Sequence, residues 1–223
     1  MNDFVETFAE FASALTDAQD FDDTADHLIR YAVDSLGASF GGITLIHTKG
    51  RLETTGATDP MVEKVDLAQY ELGEGPCVDA ATDLRSSVSG SVGHDGRWPR
   101  WGPAAEALGV RSVLSADMHG RDRRIGALNL YSTSEDVFMR ESVEIAKVLA
   151  DQSAAVMAAM RAEEGMRAAL ETRTVIGQAQ GMLMERFGLD ASQAFSVLRR
   201  FSQDNNIRLV DVAGQLVSTR AIP

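Results

Sequence analysis

The stretch "VIGQAQGMLMERFGLDASQAF", residues 175–195, carries two glycines, Gly177 and Gly181, one turn apart in a helical pattern. A glycine inside a helix costs on the order of 1 kcal/mol against alanine. Two in succession imply a backbone that another element approaches closely, or one that bends. At 188–190, "GLD" ends one helix and begins the next: Gly188 suits a C-terminal cap, and Asp190 with Gln193 makes a capping box. The second helix, "ASQAFSVLRRFSQ", is expected to bury Ala194, Phe195, Leu198 and Phe201. "DNN" breaks it, and "IRLVDVAGQLVSTR" supplies a third helix through Leu209, Val212, Ala213, Leu216 and Val217. Three short helices of this kind share one small core, and the glycines let a neighbouring helix or a partner chain come close.

Upstream, no proline falls between Pro103 and Pro223, and the pattern is helical from about 139. Ile145, Leu149, Gln152, Val156, Ala159, Glu163, Met166 and Leu170 follow an alternating four-three spacing. That is a short coiled-coil seam whose polar members fix register, and it predicts a homodimer. The same spacing also fits a single helix packed back on its own domain. The register runs on through Arg173, Gly177, Gln180 and Met184.

The N-terminal part reads differently. Phe4, Phe8, Phe11 and Leu15, then Leu28, Ile29, Ala32 and Leu36, lie at helical spacing. Short alternating or apolar runs follow: "FGGITLIHTKGRLETTGAT", "SSVSGSV" and "SVLSADMHGRDRRIGALNLYS". TKGR and HGRDRR each join two strand candidates as antiparallel hairpins. With helices at 60–70 and 101–108, the pattern is an α+β domain: an antiparallel sheet flanked by helices, followed by a long linker helix and a three-helix bundle.

The 223 residues, 44% of them apolar, suffice for two unequal domains. Their expected limits are 1–160 and 166–223, with a linker helix over 139–175 that overlaps the first domain. The net charge of −12 speaks against nucleic acid only if taken globally. Residues 166–223 hold seven arginines and five acidic side chains, whereas the remainder holds 14 basic and 28 acidic. No run of about 18 apolar residues suggests a membrane span, and the acidic start lacks the features of a secretory signal. With Cys77 the only cysteine, no internal disulfide forms, as expected in the cytoplasm.

The tail closely resembles the ANTAR domain, a three-helix module of transcription antitermination regulators. The resemblance rests on Ala179, Gly181, Leu183, Met184, Ala194, Leu198, Arg199, Asn205, Val212 and Ala213. Gln180 stands where that family commonly has lysine. The resemblance implies binding to paired RNA hairpins in nascent transcripts. The first 160 residues resemble a GAF domain through "YELGEGPCVDA", "DGRWPRWGPAAEALGVRSVLSADM" and "RRIGALNLYS", in the variant that precedes ANTAR in actinobacterial-type regulators. GAF domains serve different small molecules, cofactors or none, so a small-molecule ligand is expected without its identity.

Candidate residues follow. In the tail, Arg186, Arg199, Arg200 and Arg208 suit RNA, because guanidinium groups pair with phosphate and stack on unstacked bases. Arg199 also fits a brace inside the bundle. Gln180 fits either an RNA contact or a place in the helical seam. In the GAF region, Tyr70, Cys77, Trp98, Trp101 and Tyr131 are candidates for a ligand pocket, with core packing as the alternative. Cys77 follows "GEGP", a turn whose amides can face a ligand. A reactive thiol there needs a depressed pKa. The four histidines show no metal-ligand spacing, and no P-loop, HExxH or GxSxG occurs. The expected protein is therefore a signal-responsive RNA-binding regulator and not an enzyme. A thiol-dependent GAF reductase and a DNA-binding regulator are the alternatives.

Overall fold

The computed structural model describes residues 2–18, 20–47, 50–83, 85–120 and 124–220, with only the backbone at 2–8 and 14. The side chains of Phe4 and Phe8, and turn residues 48, 49 and 121–123, lie outside the described residues. The chain divides into two compact units, Met1–Arg161 and Ala162–Pro223.

The first unit opens with α1 (Asn2–Asp17) and α2 (Phe21–Leu36). Asp20 caps α2, its side chain accepting from the Asp23 N–H, and Gly37 closes it in the left-handed conformation. Five strands follow: β1 (Phe40–Ile46), β2 (Leu52–Ala57), β3 (Ser87–Ser89), β4 (Ser112–His119) and β5 (Arg124–Ser132). They form one sheet in the order β2-β1-β5-β4-β3, antiparallel at every pairing. Both expected hairpins are present as β1–β2 and β4–β5 pairs. Between strands lie α3 (Pro60–Leu72), α4 (Pro76–Asp83) and α5 (Trp101–Ala107).

The sheet is covered on both faces, so its central strands are nearly continuous buried runs. Leu114, Ala116, Leu128 and Leu130 turn to one side, where they meet α1, α2 and the first part of α6 (Arg140–Phe187). The alternate residues, among them Val113 and Tyr131, turn to the α3–α5 side.

Helix α6 runs unbroken for 48 residues, as the proline-free pattern predicts. The first part of the four-three spacing serves the alternative reading, a helix packed back on its own domain. Leu149 is fully buried in the first unit's own core, with Ile145 and Val156 packed against it. The helix stays engaged with this unit through Met157, Met160 and Arg161, and only beyond them is its surface unclaimed: Met166 and Leu170 are 66% and 62% exposed.

In the second unit, α6 is followed by α7 (Ala191–Asn205) and α8 (Leu209–Thr219). The turn chemistry is as expected. Gly188 has φ 63°, the Asp190–Gln193 capping box is complete, and Asn206 ends α7 at φ 53°. Ala179, Leu183, Ala194, Leu198, Val212, Ala213 and Leu216 form the small core. Gly177 and Gly181 admit no neighbouring helix of this chain, because a Cβ at either would meet nothing within 4 Å.

Candidate sensor interior and nucleic-acid interface

On the α3–α5 side of the sheet the interior is polar. Helix α3 turns Asp66, Gln69 and Tyr70 inward at i, i+3 and i+4, one face of a helix. Strands β1 and β5 supply Thr44 and Asn129, and α4 brings Cys77. Asp66 is fully buried. Its Oδ2 accepts from Thr54 Oγ1 at 2.8 Å, and its Oδ1 accepts from Gln69 Nε2 at 3.3 Å, Asn129 Nδ2 at 3.4 Å and the Tyr131 hydroxyl.

The direction of the remaining bonds follows from valence. Thr44 Oγ1 accepts from Cys77 Sγ and from Asn129 Nδ2, each at 2.9 Å. Its single proton therefore goes to the Tyr70 oxygen at 2.7 Å, and Tyr70 donates to Thr54 at 2.8 Å. The chain Thr44–Tyr70–Thr54 thus ends on the Asp66 carboxylate. Burial pushes the Asp66 carboxyl up to about 6, against the four hydrogen bonds that favour its charge. Among the described residues no cation pairs with it.

Gln69 ties the network to the "GEGP" turn. Its Nε2 donates to the Tyr131 oxygen at 2.9 Å, and its Oε1 accepts the Cys77 N–H at 2.8 Å. Gly75 makes this possible: its φ is 141°, and a Cβ there would sit 2.3 Å from Gln69 Oε1. Glu74, from the same turn, accepts the backbone N–H groups of Arg100 and Trp101 at 2.7 and 3.0 Å. The Cys77 amide therefore serves the protein's own interior.

Of the five residues expected around a pocket, Tyr70, Cys77 and Tyr131 come together in this network. Trp98 and Trp101 lie in the adjoining apolar cluster, their rings 5.7 Å apart and nearly perpendicular. Their indole N–H groups donate to Asp79 Oδ2 at 2.9 Å and to the Val65 carbonyl at 3.3 Å. Burial, with the Asp66 charge adding to it, raises the Cys77 thiol above its ordinary value. Asp66, Gln69 and Asn129 were not candidates from sequence. The visible sign was Asn129, a polar residue inside the apolar run "IGALNLYS".

The tail presents its cations outward. Arg199 and Arg200 are exposed on α7. Arg200 approaches Asp204 at 3.5 Å, and Arg199 has no ion pair among the described residues. Arg208, at the N-cap of α8, is 81% exposed and forks onto Asp211 at 2.7 and 3.0 Å. Arg186 donates to the Arg220 carbonyl at 2.9 Å, closing the end of α8. Gln180 donates to the Ala191 carbonyl at 3.0 Å and so pins α6 to the start of α7. Gly181 lines a groove of about 680 Å³ with Met182, Glu185, Arg186, Val217 and Arg220. Arg220 is a cation that the sequence reading did not single out.

Among the described residues, no helix is long and apolar enough to cross a membrane. None of their His, Cys, Asp and Glu side chains are grouped to hold a metal ion.

Comparison with known proteins adds identity to this geometry. The GAF domain family matches residues 18–158, and the ANTAR domain family matches 164–217. Among curated proteins none matches the chain. Solved structures with a similar fold include the GAF domain of an Acinetobacter phosphoenolpyruvate-protein phosphotransferase. It shows 14% identity and a TM-score of 0.57 over 73% of this chain and 96% of that one. Free methionine-R-sulfoxide reductase from Neisseria meningitidis, in complex with its substrate, gives 18% and 0.59 over 72% and 91%. The Stigmatella aurantiaca phytochrome photosensory core module gives 13% and 0.63 over 90% of this chain but 45% of that one. Identities this low speak to the fold alone. The chain belongs to the GAF family and carries a C-terminal ANTAR domain, which joins a sensory domain to an RNA-binding domain of antitermination regulators.

Proposed function

We propose that this protein is a cytoplasmic homodimer that binds paired hairpins in nascent RNA and thereby governs transcription antitermination. The observation that carries this reading is the ANTAR match over 164–217, in a segment that sets exposed guanidinium groups on a compact bundle. Arg199, Arg200 and Arg208 contact phosphate or unstacked bases, and Gln180 and Arg186 join them while also holding the bundle together. Two linked modules gain effective concentration for two hairpins, so dimer geometry controls affinity without new contacts. The dimer pairs through the unclaimed part of α6, where Met166 and Leu170 are exposed.

Competition of a paired-hairpin RNA against duplex DNA on the full chain tests this directly. RNA is expected to win by at least tenfold. Equal binding, or a preference for DNA, overturns the reading. Light scattering at micromolar concentration is expected to give twice the 24.0 kDa chain mass. A thiol-dependent reductase is disfavoured on physical grounds, since a buried thiol with a raised pKa supplies little thiolate.

A further inference from the structure

The sensory unit has a second polar site, on its surface and away from the buried network. A cleft of about 580 Å³ lies beside the edge strand β3 and is lined by α4, by β3 and by the first turns of α6. We propose that this cleft is a ligand site for a small zwitterion carrying a carboxylate and an ammonium, either a free amino acid or the two ends of a short peptide. The proposal rests on reading residues 18–158 as a sensory domain.

The charges lining the cleft fall into two sets. Arg97 is committed: it grips Asp95 at 2.6 and 2.9 Å and donates to the Val88 carbonyl at 2.6 Å. Asp79 is committed to the Trp98 indole. Asp83, Arg85, Arg140 and Glu144 are exposed, and among the described residues none of them has a side-chain hydrogen bond or ion pair. Two cations and two anions therefore share one cleft without neutralising each other.

A guanidinium takes a carboxylate through paired N–H donors, and an ammonium offers three donors to carboxylates. A phosphate dianion would face Asp83 and Glu144, and a simple cation would face both arginines. Only a ligand of mixed charge satisfies both sets.

The cleft also reaches the root of the long helix. Arg140 and Glu144 belong to the first two turns of α6, opposite α4 and β3. Beside the cleft, Ser86 donates to Asp117 at 2.7 Å, and Asp117 pairs with Lys147 of α6 at 3.0 Å. Burial alone would raise the Asp117 carboxyl; the Ser86 hydroxyl and the Lys147 ammonium outweigh it and hold the group below its ordinary value. A zwitterion bridging Arg85 and Asp83 to Arg140 and Glu144 adds a second tie from α4 and β3 to α6. It thereby biases the element that leads into the RNA-binding unit.

The test uses tryptophan fluorescence of the full chain, since the Arg97 guanidinium lies 4.3 Å from the centroid of the Trp98 ring. The probes are the proteinogenic L-amino acids other than tryptophan and tyrosine, pooled and then single, together with dialanine, acetate, methylammonium and inorganic phosphate. We expect a saturable response to an amino acid or to dialanine, which tells the free ligand from peptide ends. The response should weaken at least tenfold in Arg140→Gln and in Glu144→Gln and stay unchanged in Arg30→Gln. Silence toward every zwitterion overturns the proposal. So does an equal response to acetate, methylammonium or phosphate, or a response that survives both cleft variants. Hairpin RNA binding is measured on the same preparations. A silent cleft with RNA binding intact refutes the ligand site alone, and a responsive cleft without RNA binding refutes the effector reading alone.

Discussion

The two units dispose of their polar groups in opposite ways. In the sensory unit, Asp66, Gln69, Asn129 and Tyr131 are completely buried and spend their hydrogen bonds on one another and on Thr44, Thr54, Ser115 and the Cys77 amide. In the tail, the core is alanine, leucine and valine, and every arginine is exposed. A buried network is high-stakes, because an unmatched group in low dielectric loses its partner and its water together. An exposed cation can be removed with little effect on the fold. Substitutions in the first interior should therefore be read out as stability, and those on the second surface as binding.

The largest expected effect separates these regimes along a single helix. Leu149→Glu places a carboxylate where the side chain is fully enclosed among apolar residues. The loss should be several kcal/mol, enough to abolish the sensory unit's cooperative melting by circular dichroism. Met166→Glu with Leu170→Glu should leave that transition in place, and instead halve the mass seen by light scattering. Cooperative melting that survives Leu149→Glu would place α6 off the sensory unit's core.

Next in size is Asp66→Asn. The folded state holds the Asp66 proton up to about 6, against an ordinary value of 3.8. Its contribution to stability is thus full below about pH 4 and is lost as the pH rises through about 6. Two pKa units correspond to roughly 3 kcal/mol. Asparagine keeps an acceptor for Tyr131 without the charge but sets an amide donor against the Thr54 hydroxyl, so the variant should lose this pH dependence. A parent whose melting temperature is flat between pH 4 and 6.5 would show that Asp66 is better solvated than its burial indicates.

Smaller effects are expected on the tail. Arg199→Ala and Arg208→Ala should each weaken hairpin binding about tenfold, roughly 1.4 kcal/mol, with helicity unchanged. Each should also lower the slope of log affinity against log salt by roughly 0.7. Equal losses from Arg30→Ala, on the sensory unit, would move the RNA site elsewhere. Last, Gly177→Ala and Gly181→Ala fill open space, so each should stabilise the tail by about 1 kcal/mol in thermal melts. If RNA or a second chain lies against that backbone, the same variants weaken binding while strengthening the fold. Unchanged binding would leave both glycines without a function.

Sequence periodicity identified the strands and the tail helices, because capping boxes, left-handed glycines and hairpin turns act locally. It missed α4, since "PCVDAATD" is short and built of small residues, with only the preceding turn to mark it. Spacing also could not say what lies against a helix. The four-three pattern was real, but the sheet of the same unit takes Ile145, Leu149 and Val156. The Asp66 network escaped for a related reason. An i, i+3, i+4 set of polar residues reads as a wetted face until a sheet is known to cover it. Gln180 and Arg186 show the same limit, because only the folded bundle reveals the backbone carbonyls they serve.

Residues 162–171 are helical and all exposed. No burial supports them, and an isolated stretch of that length is marginal in water. In a lone chain this segment should therefore exchange its amide hydrogens quickly and offer trypsin its bond after Arg167, just inside the start of the second unit and of its ANTAR match. Pairing with a second copy would silence both signals. If the chain pairs as proposed, the order of this segment is set by protein concentration as well as by sequence.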